Sequence, residues 1–319
     1  MLRYAGSSLK KDKTFMLKAV SLCGWALEWA DAFLKKDEEV VFTAVFQHFE
    51  ALYSVDESFK NDKRVVLAAI SSGGGAISYA APALKKEKDV VVRAIRTCPK
   101  AIGLDVDEVF KKDKDIALLA ISEIPWILEK FDPELRNDKG LIEASKIRDN
   151  VERANRCAEI YRAVHDIDGS SYEACYQHLM NDNFFAFQFM PECVRADITV
   201  AMDVISFDGT LICFASDELR NNYRLALVAV CQCPSAFKYL SENLQKNVHL
   251  ISLSKLVLSS ERQDKLNSIM KHFNGKSAFF AYDAREPSCF DGRLCKSMKP
   301  VSVAEDVPES LEHSFSSMS

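Results

Sequence analysis

No run of about eighteen apolar residues occurs anywhere in this 319-residue chain, so no segment reads as a membrane-spanning helix. The first residues lack the basic, then apolar, then small-residue order of a secretory signal. Ten cysteines, at 23, 98, 157, 175, 193, 213, 231, 233, 289 and 295, show no paired framework, which points to reduced, mostly buried thiols. Cys231 and Cys233 are one residue too close for a redox Cys-x-x-Cys pair. A basic surplus is missing too. The net charge is −5, and residues 1–139 hold 22 Lys plus Arg against 22 Asp plus Glu. Nucleic-acid domains carry a clear excess of cations, so that class is disfavoured. Gly73-Gly74-Gly75 has neither the preceding strand nor the following Lys-Ser/Thr that a phosphate loop needs. What these absences leave is a cytoplasmic protein of ordinary globular composition, 48% hydrophobic and 27% charged.

What is present is an echo. Lys11-Asp12-Lys13 returns as Lys36-Asp37-Glu38, Asn61-Asp62-Lys63, Lys86-Glu87-Lys88, Lys112-Asp113-Lys114 and Asn137-Asp138-Lys139. The acidic residue stands at 12, 37, 62, 87, 113 and 138, and a fixed period near 25 residues is the mark of a repeat architecture. Counting from that residue as zero, apolar side chains recur at +3, +4, +7 and +8, one face of a helix. Val65, Val66, Ala69 and Ile70 are one such set, and Val90, Val91, Ala94 and Ile95 another. The acidic residue itself suits an N-cap. At +12 stand Gly24, Gly74, Pro99 and Pro125, with Phe49 as the exception, so a turn is expected there and a shorter second helix after it. A single unit buries too little to offset the entropy of ordering its chain, and stacking must supply the rest.

The expected fold is therefore all-α, an α-solenoid of ~25-residue helix-turn-helix repeats with no β-sheet, interrupted by one long helix. The first stack covers 1–138 and opens in mid-repeat, with Leu2, Tyr4, Ala5 and Leu9 in the closing slots of an absent unit. Residues 139–171 read as a long connecting helix of about 25 residues and its exit turn. The period returns at Asp197, Asn222 and Asn247, with a degenerate unit from Tyr172, giving a second stack over 172–273. Residues 274–319 read as a mostly disordered tail, with a short docking segment around Phe279, Phe280 and Tyr282.

The phrase Leu-Lys-Lys-Asp-Lys, then Val-Val-Leu-Ala-Ala-Ile, a Gly or Pro, and Ala-Leu-x-x-Ala, resembles the repeat family called domain of unknown function 4116. The resemblance is tightest over residues 9–30, 59–80 and 84–95, and it extends over most of 1–142 and 214–247. It implies an all-helical repeat scaffold with no established activity. Such repeats occur in host-associated bacteria, protists and large viruses, so a host cytosol is a further possible setting.

Function is less legible than fold. The main expectation is a non-catalytic scaffold binding another protein, with no catalytic, cofactor or metal residues assigned. The lysines entering each cap form a candidate partner-binding ladder: Lys10, Lys11, Lys35, Lys36, Lys60, Lys85, Lys86, Lys111, Lys112 and Arg136. A regular basic edge suits an acidic partner or anionic surface, and competes with the plainer reading of a solvated loop. An enzyme or metal protein with its site in 139–190 is the alternative, because Cys157, His165, Cys175 and His178 form the densest Cys/His group. Their spacings match no familiar zinc site. Trp25, Trp29, Tyr79 and Trp126 fit packing between units, and any ring left exposed is a binding anchor.

Overall fold

Each regular unit begins where an acidic side chain turns back onto its own helix. Asp12 accepts from the Phe15 amide at 2.9 Å, Asp37 from Val40 at 3.1 Å, Asp62 from Arg64 at 2.9 Å and Asp138 from Leu141 at 3.0 Å. These bonds satisfy amides that have no partner in the first turn. Glu87 is the exception and makes no capping bond. The helices that open these units are α1 (Lys13–Leu22), α2 (Glu38–Gln47), α3 (Lys63–Ser72), α4 (Lys88–Thr97) and α5 (Lys114–Glu123). The computed structural model describes residues 2–104, 106–181 and 183–255. Among them the chain is all-α, without a strand. The expected tail at 274–319, with Phe279, Phe280 and Tyr282, lies outside the described residues.

The predicted apolar face is the core. All four of its slots are fully buried in α2, α3, α4 and α5, whereas in α1 Phe15 and Ala19 are only half-buried. Helices α1 to α5 pack side by side in order. The expected second helix is a short 3-10 helix, as at Gly24–Trp29, Phe49–Ser54, Gly74–Tyr79, Pro99–Gly103 and Pro125–Lys130. These segments also stack on one another in order. A further short turn then leads to the next cap, so the unit has three parts rather than two. That turn is tied to its neighbour: the carbonyls of Lys10, Lys35, Lys60 and Lys111 accept from the amides of Asp31, Asp56, Ala81 and Asp132.

Glycine at +12 serves a different purpose from the expected sharp turn. No described glycine has positive φ. Gly24, Gly74 and Gly209 instead lie against the carbonyls of Ala44, Ala94 and Ala229 in the next unit, where an added Cβ would collide. Close approach of one unit's backbone to the next is what excludes a side chain.

The connecting segment is not one long helix. It is α6 (Lys139–Lys146) and α7 (Asn150–Val164), broken at 147–149. Asp149 caps α7 by accepting from the Glu152 amide at 2.8 Å. Arg153, 1% exposed, fills the corner. Its guanidinium donates to the carbonyls of Ile121 (3.0 Å), Ser122 (3.2 Å) and Ile147 (3.0 Å) and to Asn150 Oδ1 (2.6 Å). A buried cation is thus neutralised by carbonyls at the C-terminal ends of α5 and α6, the negative ends of both helix dipoles.

Beyond this corner the chain turns back on itself. After α8 (Tyr172–Met180) come α9 (Ile198–Phe207), α10 (Tyr223–Gln232) and α11 (Val248–Lys255). Helices α9, α10 and α11 pack in order, as the first five do. This second stack docks on the first. Asp208, 3% exposed, receives Arg93 Nε at 3.2 Å and Arg96 Nη1 at 2.7 Å from α4. One unit along, Cys233 Sγ lies 3.2 Å from Ser71 Oγ of α3. The repeats therefore fold as an antiparallel pair of stacks.

Candidate functional site

The lysine ladder divides in two. Lys11, Lys36, Lys86, Lys112 and Arg136 are exposed, while Lys10, Lys35, Lys60, Lys85 and Lys111 are half-buried. The second group is mostly tethered: Lys10 Nζ donates to Arg3 O, Lys85 Nζ to Ser78 O, and Lys60 and Lys111 pair with Glu57 and Glu108. Even exposed Lys36 stands 3.3 Å from Asp56.

A more regular ladder uses the lysine after each acidic residue. Lys13 reaches Asp37 at 2.9 Å, Lys63 reaches Glu87 at 2.6 Å, Lys88 reaches Asp113 at 2.9 Å and Lys114 reaches Asp138 at 2.7 Å. Asp37, Glu87, Asp113 and Asp138 are thereby joined to the preceding unit, and the phrases around Glu87 and Asp113 each supply both an acceptor and a donor. Glu38 breaks the row, and there Arg64 pairs with Glu38 at 3.2 Å instead. Glu87, freed from capping, is held by Lys63. In the second stack the residues at this place are Ile198, Tyr223 and Val248, so the ladder ends. These charges are partly exposed, and each pair contributes at most about 1 kcal/mol. Their regularity sets register more than stability.

The aromatic anchors are unequal. Trp29 and Tyr79 are half-buried between units. Trp25 is 39%, Tyr53 65% and Trp126 52% exposed. Lys60 Nζ sits 5.9 Å from the Tyr53 ring centre, and Lys100 Nζ sits 5.5 Å from that of Trp126. Tyr53 also meets Tyr79 edge-on at 5.9 Å. These rings lie on the row of 3-10 segments, one surface repeated from unit to unit.

The irregular stretch holds a polar junction. His165 Nε2 lies 2.7 Å from Asp115 Oδ1 of α5, and Tyr161 OH lies 2.9 Å from His178 Nε2 of α8. The two imidazoles are 5.1 Å apart between ring centres, and Tyr161 stacks on Phe189 at 4.6 Å. Burial, then the neighbouring His165 charge, pushes the His178 pKa down, against the opposing pull of Asp115. Burial pushes the Tyr161 hydroxyl up, and Asp115 and Asp113 add to that. Cys175 does not complete a Cys-His pair, because its thiol turns to the Asp168 carbonyl at 3.9 Å. Its pKa is pushed up to about 11, and that of Cys157 to about 12, both by burial first. Such thiols are poor nucleophiles. Among the described residues no three His, Cys, Asp or Glu side chains are placed to hold a metal ion. His165 and His178 stand close together, and Asp115 and Tyr161, which the Cys/His spacing does not include, join them.

The family model described as Domain of unknown function (DUF4116) matches at residues 1–35, 37–85, 87–136 and 197–245. These segments make up more than half of the chain, and the chain belongs to that family. The stretch between the third and fourth matches contains Arg153, Tyr161, His165 and α8. No curated protein and no solved structure matches the chain.

Proposed function

We propose that this repeat chain is a non-catalytic scaffold that binds another protein along its row of 3-10 segments. The observation that carries the reading is Trp126, half-exposed on that row with a lysine over its ring. Trp25 occupies the equivalent slot four units earlier, and Tyr53 lies between them along the row. Large rings with a polar edge and a flanking cation are the side chains that dominate interface energies. Within the lysine ladder, Lys36, Lys60 and Lys111 are already paired with carboxylates, which leaves an acidic partner fewer cations to use. Buried thiols such as Cys157 and Cys175, held protonated by burial, support a reducing compartment such as the cytosol.

An enzyme built on the junction is the second reading, and the Asp115–His165 pair favours it. Against it, Tyr161 is fully buried and the nearby thiols are held protonated, which leaves the imidazoles without an activated nucleophile. The deciding experiment is affinity capture with three full-length chains. A partner retained by the native chain and by the Lys86→Glu, Lys112→Glu variant, but lost with Tyr53→Ala, Trp126→Ala, supports the aromatic row. Loss with the charge variant alone, or capture of no specific protein, overturns it.

A further inference from the structure

Two cations and one anion meet where the stacks touch. Arg93 and Arg96 of α4 stand at slots +6 and +9 of their unit. At slot +6 the units on either side bury Ala68 and Leu119, and at slot +9 they bury Ser71 and Ser122. Those places close without charge, and elsewhere on the seam Ser71 simply meets Cys233. One arginine is enough to match Asp208, so the second is surplus to the pairing.

The hydrogen bonds identify the surplus cation. Asp208 Oδ1 accepts from the Thr210 amide at 3.0 Å and from its hydroxyl at 2.7 Å. Asp208 Oδ2 accepts from Arg96 Nη1 at 2.7 Å, and Arg96 Nη2 donates to Thr210 Oγ1 at 3.0 Å. Arg93 Nε reaches the same Oδ2 at 3.2 Å as an ion pair, and the Arg93 side chain makes no hydrogen bond among the described residues. Arg96 Nε is buried without a partner as well. No carboxylate other than Asp208 lies within ion-pair distance of either arginine among the described residues. The Cys213 thiol adds no negative charge, because burial pushes its pKa up to about 11 in spite of Arg96. The seam is therefore short of one negative charge and of hydrogen-bond acceptors. Water can meet an open N–H group, but it leaves the charge uncompensated in a region where that is costly.

We infer that Arg93 and Arg96 form an anion site at the seam between the two stacks, one that takes a small oxyanion of the phosphate class. Arg93 is the arm that faces solvent, its side chain 12% exposed against 8% for Arg96. A guanidinium presents parallel donors that match two oxygens of a phosphate. Two cations against one carboxylate leave a single positive charge, enough to hold a monoanion and too little to collect polyanions.

Calorimetric titration and thermal melts of the full chain, in sodium phosphate and in sodium chloride at matched ionic strength, test the site. Expected is saturable uptake of phosphate and a melting temperature that rises and then levels off, whereas the general salting effect of phosphate keeps rising. Arg93→Gln should bind phosphate about tenfold more weakly. In chloride the same variant should melt no lower than the native chain, because it balances the charge of the seam. Lys18→Gln, at the same slot in α1 where the side chain is exposed, should bind as the native chain does. A parallel titration with glycerol 3-phosphate separates the two sources of the group: tighter binding of the ester assigns the site to a phosphorylated small molecule, and tighter binding of phosphate assigns it to the free ion. Absence of saturable uptake of either, or an equal response in Arg93→Gln, overturns the inference. A fall in melting temperature for Arg93→Gln in chloride as large as that for Asp208→Asn also overturns it, since Arg93 would then belong to the clamp.

Discussion

Replacing Asp208 by asparagine removes one charge and almost nothing else, which makes it the sharpest probe of how the two stacks hold together. Asparagine caps a helix about as well as aspartate, so the bond from the Thr210 amide at 3.0 Å has a substitute. The loss falls on Arg93 and Arg96, whose side chains are 12% and 8% exposed and share this one carboxylate. Stranding a buried charge by removing its partner costs about 3–5 kcal/mol, a large part of the ~5–15 kcal/mol that holds a domain folded. At roughly 2–4 °C per kcal/mol for a chain of this size, the melting temperature should fall by about 6–20 °C. Acid provides an independent reading of the same group. Burial alone would raise the Asp208 pKa, but Arg93, Arg96 and the Thr210 bonds outweigh it and hold it below the ordinary carboxylate value. A depressed folded pKa contributes stability above the unfolded pKa near 3.9, and that contribution is lost as pH falls through the folded value. The native chain should therefore lose stability at low pH by an amount absent from Asp208→Asn. Urea titrations at pH 7 and at pH 3 measure both effects. A difference below 1 kcal/mol at pH 7 would mean that the guanidiniums find water or other carboxylates at no cost, and the antiparallel clamp would be refuted.

Gly74→Ala should destabilise by about 1–3 kcal/mol, because the new methyl meets the Ala94 carbonyl and lies 2.8 Å from Cys98 Cβ, whereas Gly103→Ala, with Lys130 Cδ nearest at 3.9 Å, should be close to neutral. Thermal melts of both variants check this. Lys63→Ala breaks contacts of 2.6 and 2.7 Å to Glu87 and Asp89, yet with all three side chains about two-fifths exposed it should cost under ~1 kcal/mol and vanish in 1 M salt. His178 favours its neutral form, so the native chain should lose stability as pH falls from about 6.5 through the lower folded pKa, and His178→Gln should flatten that limb in chemical denaturation.

The repeat and its caps were legible because their chemistry is local. An acidic residue, an amide three positions on and apolar slots at +3, +4, +7 and +8 all lie within one helix. Locality also explains the errors. Asp149-Asn150-Val151-Glu152 carries its own cap signal, but Ala144, Ile147, Val151 and Ala154 continue a helical spacing across it, so the break at 147–149 was hidden. The lysine that matters in each echo phrase follows the acidic residue, and its partner is about 24 residues away, beyond any single-helix pattern. The flanking lysines before the cap are more numerous and stand on the other side of the phrase, so they dominate the local pattern.

The return of the second stack left a fainter trace, and it is an electrostatic one. Slot +9 holds Ser21, Ser71 and Ser122 in three units and Arg96 in a fourth, while slot +11 holds Cys23, Cys98 and Cys233 in three units and Asp208 in another. A lone cation and a lone anion in otherwise uncharged slots are costly to bury separately and inexpensive together. Opposite-sign exceptions of this kind, in different repeats, are therefore a signal that two stacks touch, and their spacing from each cap reports the register.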